Sequence, residues 1–175
     1  ADSEDACSAC PVSTFGDSTG SSSCRMCPPG SACPHRGMIN AIECPPGSYT
    51  ARKGATSCET CSPGRYQAFL GEAFCQNCPA GKYDSQNGST SLGNCKDCPA
   101  GTYIAHEGAE SCTSCPKSQY NDMGGQTTCM ECKNSYVSNG NGTGCVVDPL
   151  LSSQSTATLM EELYMKGGAL YGVGI

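Results

Sequence analysis

Apolar side chains in this chain return in a fixed phrase instead of running in long stretches. A cysteine is followed by Pro and Gly, an aromatic comes five positions on, and a Cys-x-x-Cys closes the unit. The phrase reads Cys44-Pro45-Pro46-Gly47-Ser48-Tyr49, Cys61-Ser62-Pro63-Gly64-Arg65-Tyr66, Cys78-Pro79-Ala80-Gly81-Lys82-Tyr83 and Cys98-Pro99-Ala100-Gly101-Thr102-Tyr103, with a degraded copy at Cys115-Pro116-Lys117-Ser118-Gln119-Tyr120. Self-similarity at a fixed period points to a repeat architecture. Pro after Cys presets φ and stops a helix, and Gly permits the turn that follows. A second Gly stands four before the closing Cys at Gly20, Gly54, Gly71, Gly108 and Gly125, as a turn position with φ > 0 requires. The pattern therefore predicts small disulfide-rich repeats: an elongated rod of short two-stranded β ribbons and turns, with little helix. The aromatics Phe15, Tyr49, Tyr66, Tyr83, Tyr103 and Tyr120 are expected to cover the adjacent disulfide as a miniature core, with the tyrosine hydroxyls left at the surface and Tyr136 displaced by one position.

The pattern breaks after Cys145. The segment 146–175 has no Cys but carries Leu150, Leu151, Leu159, Leu163 and Leu170, joined by Met160 and Met165. Thr156 to Lys166 fits a short amphipathic helix with Leu159, Met160 and Leu163 on one face, ended by Gly167-Gly168. Two readings stand for this segment. One is a linker to a further domain. The other is an assembly arm, with Leu159, Leu163 and Leu170 docking on a neighbouring subunit.

Composition shows what holds such a chain together. Of 175 residues 17 are Cys, a density expected of a disulfide scaffold. Between Ala1 and Cys145 the only leucines are Leu70 and Leu92, too few for one hydrophobic core. Ordering each residue costs roughly 1–2 kcal/mol of backbone entropy. Closing a loop of about 15 residues by a disulfide returns on the order of 3 kcal/mol in the chain-entropy model.

Seven Cys-x-x-Cys pairs occur: Cys7/Cys10, Cys24/Cys27, Cys58/Cys61, Cys75/Cys78, Cys95/Cys98, Cys112/Cys115 and Cys129/Cys132. Sequence alone does not fix connectivity. The regular spacing favours joining the second Cys of each pair to the first of the next. That gives Cys10–Cys24, Cys61–Cys75, Cys78–Cys95, Cys98–Cys112 and Cys115–Cys129, with Cys44–Cys58 and Cys132–Cys145 completing the series. Cys27–Cys33 makes a tight extra loop. Cys7 is left over, as expected of a truncated repeat, an N-terminal extension or an intermolecular bridge. The repeats are expected to fill 7–145, in modules at 10–24, 27–58, 61–75, 78–95, 98–112, 115–129 and 132–145.

The Cys-Pro-x-Gly-x-Tyr opening and the Cys-x-x-Cys spacing resemble the ephrin-receptor-like cysteine-rich repeats, similar in appearance to tumour-necrosis-factor-receptor modules. The resemblance covers most of Cys10 to Cys145. It implies extracellular, disulfide-laddered, elongated modules of the kind that serve as stalks, adhesion surfaces or parts of protist surface and flagellar-hair proteins. The Cys27–Cys33 insertion and the missing Pro and Gly after Cys132 depart from the pattern.

Other chemistry for these cysteines fits less well. Zinc needs four ligands in a tetrahedron, whereas the pairs form an unbroken ladder. Covalent haem needs Cys-x-x-Cys-His, and the residues after the pairs are Pro11, Pro28, Ser62, Pro79, Pro99, Pro116 and Lys133. A redox Cys-x-x-Cys would be a single pair beside a βαβ unit. His35 and His106 read as solvated loop residues, and no acidic cluster has calcium-loop spacing. No catalytic residue, cofactor or metal is expected.

Disulfides persist in oxidising compartments, so the chain reads as secreted or surface-exposed. Two sequons agree with this, Asn87-Gly88-Ser89 and Asn141-Gly142-Thr143, making Asn87 and Asn141 candidate N-glycan acceptors. The net charge of −6 argues against nucleic acid as a partner, and no stretch is long and apolar enough to span a bilayer. The expected function is a non-enzymatic extracellular rod, a subunit of a fibre or surface appendage whose partners are other copies or neighbouring surface proteins. The alternative is the stalk or ligand-binding ectodomain of a receptor.

Overall fold

A computed structural model describes residues 9–19 and 23–150. Among these residues the chain forms eight two-stranded antiparallel ribbons in sequence order. Strand β1 (Thr14–Phe15) pairs with β2 (Arg25–Met26), and β3 (Ser31–Ala32) with β4 (Ile42–Glu43). Next come β5 (Ser48–Tyr49) with β6 (Glu59–Thr60), and β7 (Arg65–Tyr66) with β8 (Gln76–Asn77). They are followed by β9 (Lys82–Tyr83) with β10 (Lys96–Asp97), and β11 (Thr102–Tyr103) with β12 (Thr113–Ser114). The last two are β13 (Gln119–Tyr120) with β14 (Met130–Glu131), and β15 (Tyr136–Ser138) with β16 (Cys145–Val147). The stretch 27–58 thus carries one ribbon and the first strand of the next. Among the described residues the helical content is one 3₁₀ turn, Leu92–Asn94, and the helical pair Pro149-Leu150. The 3₁₀ turn lies in the 78–95 loop, whose cysteines are 17 residues apart where most others are 14 apart.

The repeated phrase forms each ribbon through one turn. The carbonyl of Pro45 accepts from Ser48 N–H at 3.0 Å, and Pro79 and Pro99 do the same for Lys82 and Thr102. The residue before the donor is Gly47, Gly81 or Gly101, with φ of 80–83°. This is the third position of a type II turn, where φ > 0 selects glycine. The first and last ribbons keep the backbone shape with a different residue, Ser13 (φ 73°) and Ser135 (φ 72°). The hydroxyls of Ser48 and Thr102 brace the turn by donating to the same proline carbonyls, at 2.7 and 2.6 Å. In the six Cys-x-x-Cys pairs from Cys24/Cys27 to Cys129/Cys132 the two inner residues are the second strand of a ribbon, so the motif is a paired element.

Successive repeats are joined by a recurring set of backbone hydrogen bonds. Gly47 N–H donates to Gln67 O, Gly64 to Asp84 O, Gly81 to Ile104 O and Gly101 to Asn121 O, at 2.7–2.9 Å. The second glycine points back: Gly71 N–H donates to Cys44 O, Gly88 to Cys61 O and Gly108 to Cys78 O. Single parallel bridges at Tyr66–Ser89 and Tyr83–Ala109 add to this registry. Each repeat also touches the one after next. At Gly64 a Cβ would sit 2.5 Å from the Gly108 carbonyl carbon, so the close approach requires glycine. Contacts between near repeats make this a quasi-one-dimensional ladder.

The ladder's register runs one step past its last cystine. Each opening cysteine donates its N–H to the preceding turn residue, as Cys61 does to Gly47 O and Cys132 to Ser118 O. Asp148 N–H does the same to Ser135 O at 2.9 Å, so Asp148-Pro149 occupies the place of Cys-Pro. The Asp148 carboxylate then accepts from Leu150 N–H at 2.9 Å, an Asx turn where a thiol would have formed the next rung.

The interior is made of sulfur and polar side chains. Cys27, Cys33, Cys44, Cys61, Cys78 and Cys98 are fully buried. The other buried apolar residues described are Cys10, Cys95, Ala32, Ile104 and Ala109, and the last two pack with Cys98, Tyr83 and Cys112. The aromatics Phe15, Tyr49, Tyr66, Tyr83, Tyr103 and Tyr120 are half-buried, with Tyr83 packed against the cluster of Cys98, Ile104 and Ala109, and Tyr136 is exposed. Two-residue strands are too narrow to cover a ring, so its outer edge stays in solvent. Tyr49 and Tyr66 instead reach across their ribbons and donate to Glu59 and Gln76, at 3.2 and 2.9 Å.

Candidate functional site

Eight cystines line the ladder: Cys10–Cys24, Cys27–Cys33, Cys44–Cys58, Cys61–Cys75, Cys78–Cys95, Cys98–Cys112, Cys115–Cys129 and Cys132–Cys145. Burial is uneven along them. The opening cysteines Cys44, Cys61, Cys78 and Cys98 are fully shielded, Cys98 among Tyr83, Ile104, Ala109 and Cys112, whereas Cys115, Cys129, Cys132 and Cys145 are half-exposed. Cys7 and the tail residues Leu159, Leu163 and Leu170 lie outside the described residues.

A column of buried side chains follows the aromatics, and sequence reading missed it. The residues after Tyr49, Tyr66, Tyr83, Tyr103 and Tyr120 are Thr50, Gln67, Asp84, Ile104 and Asn121, each 1–4 % exposed. Where polar, the side chain organises its own loop. Gln67 Nε2 donates to Phe74 O at 2.7 Å, and its Oε1 accepts from Phe69 N–H at 3.0 Å. Asn121 Nδ2 reaches the previous ribbon and donates to Thr102 O at 3.1 Å. Asp84 accepts from Gln86 N–H at 3.0 Å and from the Ser89 hydroxyl. A buried polar group costs free energy unless its partners are supplied. No buried side-chain polar atom among the described residues lacks one.

The Gln67 bonds hold one loop that differs from its counterparts. Between the strands of β7–β8 it displays Phe69, Leu70 and Phe74, each at least 60 % exposed. The corresponding loop of β5–β6 offers Arg52 and Lys53, and that of β11–β12 offers His106 and Glu107. A constant scaffold therefore presents variable loop tips, as expected where connecting segments carry recognition.

Asn87 and Asn141 occupy two of these tips, each just before a glycine with positive φ, and both are exposed. Gly88 (φ 71°) fills the turn position that Gly54 and Gly71 fill elsewhere, whereas Gly142 (φ 68°) accepts from Asn121 N–H as Ser89 accepts from Gln67 N–H, so Asn141 itself holds the glycine's place. Ser89 is buried, while Thr143 is half-buried and bonded to the Asn139 side chain in both directions, at 2.9 and 3.1 Å. His35 and His106 are exposed, and among the described residues no group of three His, Cys, Asp or Glu is placed to hold a metal ion. No helix among those residues is long and apolar enough to cross a membrane.

The chain matches none of the curated proteins compared with it. A family model described as tyrosine-protein kinase ephrin type A/B receptor-like matches residues 47–95 and 101–147, more than half of the chain. The matched segments carry β5–β9 and β11–β16, with the type II turns and cystines that define the repeat. By that match and by its tandem ribbons, this chain belongs to the ephrin type A/B receptor-like cysteine-rich repeat family.

Proposed function

We propose that this chain is a structural rod of the extracellular surface, a subunit of an appendage or fibre. The observation that carries this reading is the repeated registry of backbone bonds between neighbouring ribbons, from Gly30–Thr50 to Gly101–Asn121. Such a scaffold fixes length and spacing, and its family is typically non-enzymatic. Cystine in place of an aliphatic core suits an oxidising, extracellular setting. Asn87 and Asn141 are its glycan acceptors in this reading. Its partners are other copies or neighbouring surface proteins, with the apolar tail around Leu159, Leu163 and Leu170 as the assembly arm and Cys7 available for a bridge between chains. Sedimentation of the full chain beside a version ending at Leu150, which keeps β16 and Asp148, tests it. The full chain is expected to form higher-order species and the shortened one to stay monomeric; equal oligomeric states would refute the assembly arm.

The receptor-like name of the family and the apolar Phe69, Leu70 and Phe74 loop favour a second reading, a receptor stalk or ligand-binding ectodomain. A stable monomer at high concentration, attached to a membrane-spanning segment beyond Ile175 in the full gene product, would select that reading.

A further inference from the structure

In the folded repeat the sequon at Asn87 is built into the ladder. Asn87 is exposed, but Gly88 N–H donates to Cys61 O at 2.8 Å and Ser89 O accepts from Gln67 N–H at 2.9 Å. Ser89 is 4 % exposed and its hydroxyl donates to Asp84 Oδ2, and Asp84 is itself 4 % exposed. Ser89 also bridges to Tyr66 of the preceding repeat. The hydroxyl at the third sequon position is part of what marks an acceptor asparagine, and here it faces inward. Drawing 87–89 out toward an enzyme would break these bonds and leave Asp84 Oδ2 without the Ser89 hydroxyl.

We propose that N-glycan transfer to Asn87 occurs only before the 78–95 loop closes, so that modification and folding of this repeat are strictly ordered. The inference rests on the extracellular reading above. In the transfer, Asn87 Nδ2 bonds to C1 of the first sugar of a lipid-pyrophosphate-linked oligosaccharide. The C1–oxygen bond to phosphate breaks, the lipid pyrophosphate leaves with the electron pair, and a base of the transferase takes the amide proton. No oxidation is involved. The chain order leaves time for this. Cys95 lies 8 residues after Asn87, or about 0.4–1.6 s of synthesis at the usual rate, and disulfide formation takes seconds or longer. Asn141 provides an internal contrast, since Thr143 is half-buried and its hydroxyl oxygen accepts from Asn139 instead of donating to a buried carboxylate.

The test uses the full chain made without glycans, oxidatively folded in one sample and reduced and alkylated in the other. Each is given a purified single-subunit oligosaccharyltransferase and its lipid-linked donor, and occupancy at Asn87 and Asn141 is followed by peptide mass spectrometry. Transfer to Asn87 is expected to be at least tenfold slower in the oxidised chain, with a smaller difference at Asn141. A difference below tenfold at Asn87, or no transfer there in either sample, overturns the proposal. An Asn87 bare of glycan in native material would instead count against the extracellular reading, and the ratio between the two samples would be unaffected by it.

Discussion

Replacing Gly64 by alanine tests how the ladder is held between repeats. Gly64 has φ 77°, and a Cβ there would lie 2.5 Å from the Gly108 carbonyl carbon and 3.0 Å from that of Ala109. The left-handed backbone costs a non-glycine residue about 1–2 kcal/mol. Crowding a rigid backbone two repeats away adds about 1–3 kcal/mol. Together these destabilise the junction by about 2–5 kcal/mol, and about 1.4 kcal/mol is tenfold in an equilibrium constant. Nearest-neighbour stability confines the loss to the junction. Native-state hydrogen exchange should therefore show roughly 30-fold or faster exchange at Gly64, Cys78 and Asp84, whose N–H groups bond to Asp84 O, Gly64 O and Ala109 O. Cys27, bonded to Ser13 O, should keep its protection. The control is Gly140→Ala, because nothing lies within 4 Å of a Cβ at Gly140; its effect should stay within about 0.5 kcal/mol. Uniform acceleration along the chain, or equal effects of the two substitutions, would refute the account of the junction.

Gln67→Ala should cost about 1–3 kcal/mol by leaving Phe69 N–H and Phe74 O without their partner, and proteolysis should then cut first within 67–75. Tyr66→Phe, which removes an exposed bond to Gln76, should shift the denaturant midpoint by less than about 1 kcal/mol equivalent. Stepwise reduction with alkylation should label the half-exposed Cys115, Cys129, Cys132 and Cys145 before the buried Cys44, Cys61, Cys78 and Cys98; the reverse order would contradict the shielding described above. Chelators should leave far-ultraviolet circular dichroism unchanged, and unfolding by a chelator would mean that metal holds the thiols.

The ribbons were legible because the turn chemistry is local. Pro45, Gly47 and Tyr49 sit within six residues, and one hydrogen bond between Pro45 and Ser48 sets the strand that follows. The buried column was not legible because its constraint is positional. Thr50, Gln67, Asp84, Ile104 and Asn121 share a site but no chemistry, so no residue type announces it. Ser89 misled in another way, since a surface sequon pattern gives no sign that its hydroxyl is turned inward to Asp84. The role of Asp148 as the successor to Cys132 also escaped a count of cysteines, because only the backbone bond to Ser135 reveals the shared register.

Covalent ladder order is the claim on which the rest depends, and peptide mapping of the native protein under non-reducing conditions tests it most directly. The account predicts that every linked pair joins neighbours in this order, with Cys61–Cys75, Cys78–Cys95 and Cys98–Cys112 as separate rungs. Links that skip a rung, such as Cys61 to Cys95, or free thiols at these positions, would contradict it.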